Sequence, residues 1–164
     1  MKKISGSMIR YDILFQAYAP KEGSKDEYIG LMINVEAQNT DNLIYHLPKR
    51  CVYYDCRIVA GQKNAPGGFE KSKFDDLNKS YSIWICLNHS KKLDNVIDHY
   101  YLVKERNGQL CEEPEKDYDL IHVVIIYPAK TYDYENKEQS LQKLMYFVSI
   151  PNASRRKETI SKRI

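Results

Sequence analysis

The chain has 164 residues, is 43% hydrophobic and carries a net charge of +3. That length suits one domain with a buried core, and no stretch approaches the roughly 18 unbroken apolar residues of a membrane span. Lys2 and Lys3 are not followed by an apolar run, so no secretory signal is expected and the cytoplasm is the expected location.

From Ile9 to Ala19 the residues alternate. Ile9, Tyr11, Ile13, Phe15 and Ala17 share one face; Arg10, Asp12, Leu14 and Gln16 share the other. That period of two predicts a strand. Pro20 to Asp26 is polar, contains Gly23 and reads as a turn. A second strand is expected from Tyr28 to Gln38, with Leu31, Ile33 and Val35 opposite Asn34, Glu36 and Gln38. Two strands joined by a short polar loop are most simply an antiparallel hairpin.

Pro48 suits the first position of a helix, where its missing N–H costs nothing. Gly61 would close that helix. Cys51, Tyr54 and Ile58 fall on one side, with Val52, Cys56 and Val59 beside them. Asn64 to Gly68 reads as a loop, and Phe74 and Leu77 as part of a short helix. Tyr81 to Leu87 is an apolar, aromatic run that predicts a buried central strand. Another strand is expected from Val96 to Lys104, then a polar, acidic loop from Asn107 to Asp117. Leu120 to Tyr127 is β-branched and stops at Pro128. Glu138 to Val148 has helical spacing through Leu141, Leu144, Met145 and Val148. Strands and helices mixed in this order predict a mixed α and β class.

Residues 1–150 therefore read as a single domain and 151–164 as a basic tail. From Ser154 onward there are five bases (Arg155, Arg156, Lys157, Lys162, Arg163) and one acid, Glu158. That net +4 leaves the rest of the chain near −1 of the total +3. A basic tail on a near-neutral body suits contact with phosphates, and equally suits a solvated end. Cys51, Cys56, Cys86 and Cys111 form no CxxC pair and no zinc spacing with His. They read as reduced thiols acting as small hydrophobes.

Polar residues on strand faces are the informative exceptions. Asp12 interrupts a strand-forming segment, and Glu36 and Gln38 lie on one face of the next strand. In a hairpin both carboxylates can converge at one end of the sheet. Two close carboxylates repel, and a divalent cation relieves the repulsion. Mg²⁺ takes one or two carboxylates and fills its remaining positions with water and substrate phosphate. Residue types and spacing thus suit phosphodiester hydrolysis, while leaving open that Asp12 and Glu36 simply bond to bases such as Arg10 or Arg50.

Ile9-Arg-Tyr-Asp-Ile-Leu-Phe15, followed by Ile29-Gly-Leu-Met-Ile-Asn-Val-Glu-Ala-Gln38, resembles the recombination-promoting nuclease and transposase-associated family of the PD-(D/E)xK superfamily. The likeness continues through Arg50-Cys-Val-Tyr-Tyr54, Arg57, Gln62 and Tyr81-Ser-Ile-Trp-Ile-Cys-Leu-Asn88, and more loosely to Tyr118-Asp-Leu120. It spans roughly residues 6 to 127.

The resemblance implies a restriction-endonuclease-like α/β fold, a mixed central sheet flanked by helices. It implies a DNA endonuclease using Mg²⁺ or Mn²⁺. Asp12, Glu36 and Gln38 would be the catalytic residues and Asp12 and Glu36 the metal ligands. Gln38 stands where the superfamily usually has Lys; it cannot act as a titratable base but can orient a water. Arg50, Tyr54, Arg57 and Gln62 are expected to contact DNA or support the site. For the two arginines, pairing with Asp12 or Glu36 or a solvated helix face remains an equal alternative. Trp84 is expected in the core, and His46 in solvent. About eight residues precede Ile9, too few for the helical segment the family carries upstream, so that N-terminal helix is expected to be missing. An uncovered sheet face would then favour a homodimer. Alternative functions are a catalytically inactive remnant or DNA-binding module of the same fold, or an interaction domain with an incidental motif.

Overall fold

The computed structural model describes residues 9–20, 26, 28–111 and 117–129. The turn around Gly23, the helix over Glu138–Val148 and the basic tail fall outside them.

The described residues form a mixed α+β arrangement. A first strand, β1 (Ile13–Pro20), runs antiparallel to β2 (Tyr28–Thr40), as the alternation predicts. Helix α1 (Leu47–Gly61) crosses over to β3 (Lys79–Asn88), which lies parallel to β2. β4 (Val96–Tyr101) and a small hairpin, β5 (Glu105–Arg106) with β6 (Gln109–Leu110), lead to β7 (Ile121–Tyr127). The five-stranded sheet has the order β1-β2-β3-β7-β4, with β1 and β4 antiparallel to their neighbours. β3 is central, which explains its apolar run.

One face of the sheet is covered by α1. Leu47 and Cys51 pack there with Trp84, Cys86, Val123, Ile125 and Tyr127. The register sets Asn34 beside Ser82, Glu36 beside Trp84 and Gln38 beside Cys86. The polar face of β2 is therefore the buried one, and Asn34, Glu36 and Gln38 are all buried. Leu31, Ile33 and Val35 lie on the opposite face and are half-buried. Ile13, Phe15 and Ile97 share that face and are exposed. Among the described residues α1 is the only α-helix, so the expected flanking by helices is met on one face.

Several boundaries differ from the sequence reading. β1 begins at Ile13, not Ile9, because the Asp12 carboxylate accepts the Ala37 N–H (3.0 Å) that a longer ladder would give to a backbone carbonyl. β4 ends at Tyr101, not Lys104, because Asp119 Oδ1 accepts the Leu102 N–H (3.2 Å). Residues 105–110 form a hairpin rather than a loop. Asn107 and Gly108 both take positive φ (55° and 78°), the tight turn that an Asn-Gly pair favours. Pro48 does lie in the first turn of α1, but Gly61 is its last helical residue and Gln62 caps it with φ −70°. Phe74 and Leu77 flank a 3-10 turn (Phe74–Asp76) with Phe74 exposed. All four cysteines are unpaired. Cys51 and Cys86 are buried as expected, whereas Cys56 is exposed and Cys111 half-buried. Cys56 belongs to the solvent side of α1, five residues from the core-facing Cys51.

Trp84 is 1% exposed and touches both α1 and the sheet, whereas Ile44 stands wholly in solvent. Trp84→Ala should therefore lower unfolding stability by about 3–5 kcal/mol, with no measurable change for Ile44→Ala. Urea denaturation of the two variants checks this contrast.

Candidate functional site

The site starts where β1 and β2 part. Asp12 sits in a bend just before β1, and Glu36 points from β2 into the space under α1. Each is tied to the other's strand: the Asp12 N–H donates to Glu36 Oε1 (3.2 Å), and the Ala37 N–H donates to Asp12 Oδ2 (3.0 Å). Burial pushes the Glu36 carboxyl above its ordinary range. The Asp12 N–H counters that shift, and the Asp12 charge adds to it.

Gln38 follows two residues later on the same buried face. Its Nε2 donates to the Thr40 carbonyl (2.8 Å), and its Oε1 accepts from Arg50 (3.3 Å). Arg50 lies one turn into α1 and spreads its guanidinium over aromatic partners. It donates to the hydroxyls of Tyr45 (3.0 Å) and Tyr54 (3.3 Å). Its carbon stands 5.1 Å from the Tyr54 ring centre and 5.0 Å from that of Trp84. Stacking of this kind suits the planar, weakly hydrated guanidinium. Tyr54 in turn meets Trp84 and Tyr11 edge-on, at 5.2 and 5.7 Å. Among the described residues Arg50 thus spends its hydrogen bonds on Gln38 and two tyrosines rather than on Asp12 or Glu36.

The structure brings Asp12, Glu36, Gln38, Arg50 and Tyr54 together. Arg57, two turns further along α1, lines a neighbouring cavity of about 210 Å³ with Tyr11, Leu14, Met32 and the 65–68 loop. Gln62 is not at the carboxylates. It is buried at the end of α1, where Nε2 donates to the Asn78 carbonyl (2.9 Å) and Oε1 accepts the Asn78 N–H (2.9 Å). It fastens the helix end to the start of β3. His46 is the exposed N-cap residue of α1.

Among the described residues no group of three or more His, Cys, Asp or Glu side chains is placed to hold a metal ion together. The acidic set here is two, Asp12 and Glu36, which matches the one or two carboxylates that Mg²⁺ takes from a protein. The partly desolvated Glu36 beside the Asp12 charge is an arrangement that a cation would stabilise. These two residues fit a hard divalent ion with most of its positions left to water and substrate oxygens.

Two features escaped the sequence reading. Asp55 is completely buried under α1, near the Ser80 hydroxyl and the His122 backbone N–H but with neither carboxylate oxygen in a well-formed hydrogen bond, and burial pushes its carboxyl up to about 6. The signal was its spacing of four from Cys51 and three from Ile58, which puts an acid on the core side of the helix. The second is a pair of histidines on β4 and β7, backed by Asp119. His99 Nε2 lies 2.9 Å from His122 Nδ1, and His122 Nε2 lies 2.8 Å from Asp119 Oδ2. Residues 99, 119 and 122 meet only through strand pairing, which the linear sequence does not display.

Comparison of the chain with family models, with curated proteins and with solved structures gives no match.

The Asp55 shift has a direct consequence. Its folded pKa lies above the unfolded value, so folding holds the proton more tightly and favours the protein below about pH 4. That contribution is lost as pH rises to about 6, by about 3 kcal/mol for a shift of this size. Asp55→Asn, which keeps the shape without the charge, should gain stability relative to the native chain between pH 4 and pH 7. Denaturant unfolding of both proteins at the two pH values measures the difference; equal pH dependence would show that folding leaves the Asp55 pKa unshifted.

Proposed function

We propose that this chain is a divalent-metal-dependent DNA endonuclease of the PD-(D/E)xK kind, with a restriction-endonuclease-like sheet. The observation that carries the reading is the reciprocal tie between Asp12 and Glu36, which holds two carboxylates at the parting of β1 and β2. The motif resemblance over residues 9–15, 29–38, 50–54, 57, 62 and 81–88 supports the same residues.

Asp12 and Glu36 would hold Mg²⁺ or Mn²⁺. When bound, such an ion supplies Lewis acidity toward a phosphodiester oxygen and lowers the pKa of water. The rest of the work falls to the chain. Glu36, already short of solvent, fixes where the ion can sit. Gln38 carries no charge, and its amide is oriented by Thr40 and Arg50; its second N–H can direct a water but cannot take up a proton. Arg50, whose charge acts on Glu36, packs over the rings of Tyr54 and Trp84, where it can meet a phosphate. Arg57 and Tyr11 line the adjacent cavity, on the path a neighbouring nucleotide would follow.

Supercoiled plasmid incubated with the protein should be nicked only when Mg²⁺ or Mn²⁺ is added. Glu36→Ala should reduce that rate by roughly a hundredfold or more, the scale of losing a principal electrostatic group at a reacting centre. A folded, metal-supplied native chain that binds DNA without cutting it would instead identify an inactive DNA-binding module of the same fold. Cleavage surviving in Glu36→Ala would place the chemistry elsewhere.

A further inference from the structure

On the sheet face away from α1, β4 and β7 bring two imidazoles edge to edge. His122 on β7 is buried, and His99 on β4 is exposed. Their facing nitrogens, Nε2 of His99 and Nδ1 of His122, are 2.9 Å apart. Asp119 Oδ2 stands 2.8 Å from the remaining nitrogen of His122 and 3.2 Å from Lys79 Nζ. Asp119 Oδ1 accepts the Leu102 N–H, so the carboxylate is anchored on both oxygens. Tyr81 stacks on the His122 ring at 4.5 Å and Tyr101 lies parallel to it at 6.3 Å, which fixes the plane of the imidazole.

We propose that His99 and His122 form a binding site for a borderline transition-metal ion of the Zn²⁺ class, separate from the Asp12 and Glu36 carboxylates. Three parts of the geometry carry this. A carboxylate near the far nitrogen of a histidine biases the tautomer: Asp119 Oδ2 lies 2.8 Å from Nε2, and although it does not meet that nitrogen in good hydrogen-bond alignment, its charge favours the proton there and leaves the Nδ1 lone pair facing outward. That lone pair is aimed at a second imidazole rather than at a backbone donor. Two nitrogens sharing a tetrahedral ion at about 2.0–2.1 Å lie about 3.3 Å apart, so the rings must part by a few tenths of an ångström and turn until both lone pairs meet on the ion instead of on each other. In the metal-free protein one of the facing nitrogens donates to the other; binding moves the His99 proton to Nδ1 and frees Nε2.

The donor set decides which ion fits. Imidazole nitrogen suits Zn²⁺, Cu²⁺ and Ni²⁺, whereas Mg²⁺ demands oxygen. Only two side chains supply direct donors, so water or an external ligand completes the shell and the ion exchanges readily. The site also pins β4, the edge strand of the sheet, to β7. Metal binding should therefore stabilise this edge.

The test uses the full chain stripped with a chelator, titrated with Zn²⁺ in competition with a chromophoric indicator. Ni²⁺ broadening of the histidine ring signals locates the ion. The expected result is selective broadening of His99 and His122. His99→Ala, a change at an exposed position that leaves the fold intact, should abolish it. Asp119→Asn should weaken binding about 10–100-fold. Glu36→Gln should leave it unchanged, which separates this site from the proposed nuclease centre. Zn²⁺ affinity that is the same in native chain and His99→Ala would place binding elsewhere and overturn the proposal. So would a folded native chain whose His99 and His122 signals are untouched by Ni²⁺.

Discussion

The structure turns on how α1 is seated. Its core side presents Leu47, Cys51 and Ile58, but also Asp55, to a sheet face that is apolar on β7 and polar on β2. A polar group taken from water without a partner is costly, and the buried row from Asn34 to Gln38 draws its partners from neighbouring elements, with Asn34 Oδ1 left without one. Ser82 answers Asn34 and Trp84, at 3.3 and 2.9 Å. Asp12 answers Glu36 from the neighbouring strand, and Arg50 answers Gln38 from the helix. Each partner comes from a different element, so the row both fixes the helix over the sheet and assembles the candidate site.

The same seating explains the charge environment. Glu36 is held close to a carboxylate and away from solvent, while the Arg50 guanidinium is committed to Gln38, Tyr45 and Tyr54. Negative charge therefore accumulates where β1 and β2 part, and the Arg50 charge sits beside it over the rings of Tyr54 and Trp84. That separation suits a centre in which carboxylates hold a cation and the guanidinium meets an anion. Direct pairing of Arg50 with Glu36 would have neutralised both.

Much of the fold was legible in the sequence, since periodicity reports it directly. The alternation in β2, the apolar runs of β3 and β7, and Pro48 at the start of α1 each correspond to an observed element. Strand ends were less legible. β1 and β4 stop where an aspartate side chain, Asp12 or Asp119, captures an N–H from the ladder, and nothing in local hydropathy marks that capture. The face of β2 that turns inward was also hidden, because hydropathy assigns Ile33 and Val35 to the core and Asn34 and Glu36 to solvent. The Asn107-Gly108 pair carried a turn signal, but the polar, acidic character of 107–117 read as a loop and hid the hairpin. At the site, Asp12, Glu36 and Gln38 stood out as polar residues in strand-forming segments, whereas the aromatic shelf under Arg50 depends on the helix angle. Gln62 shows the limit of placing residues by motif: it is buried and fully engaged, but with Asn78.

The most direct measurement of the central claim is the titration of Glu36 itself, followed through its side-chain carboxyl ¹³C signal with and without Mg²⁺. Metal-free protein should titrate Glu36 above the ordinary glutamate range, with the midpoint falling on addition of Mg²⁺ and with Asp12→Asn removing most of that fall. An ordinary midpoint that ignores Mg²⁺ would contradict the account, leaving Asp12 and Glu36 as a structural tie between two strands.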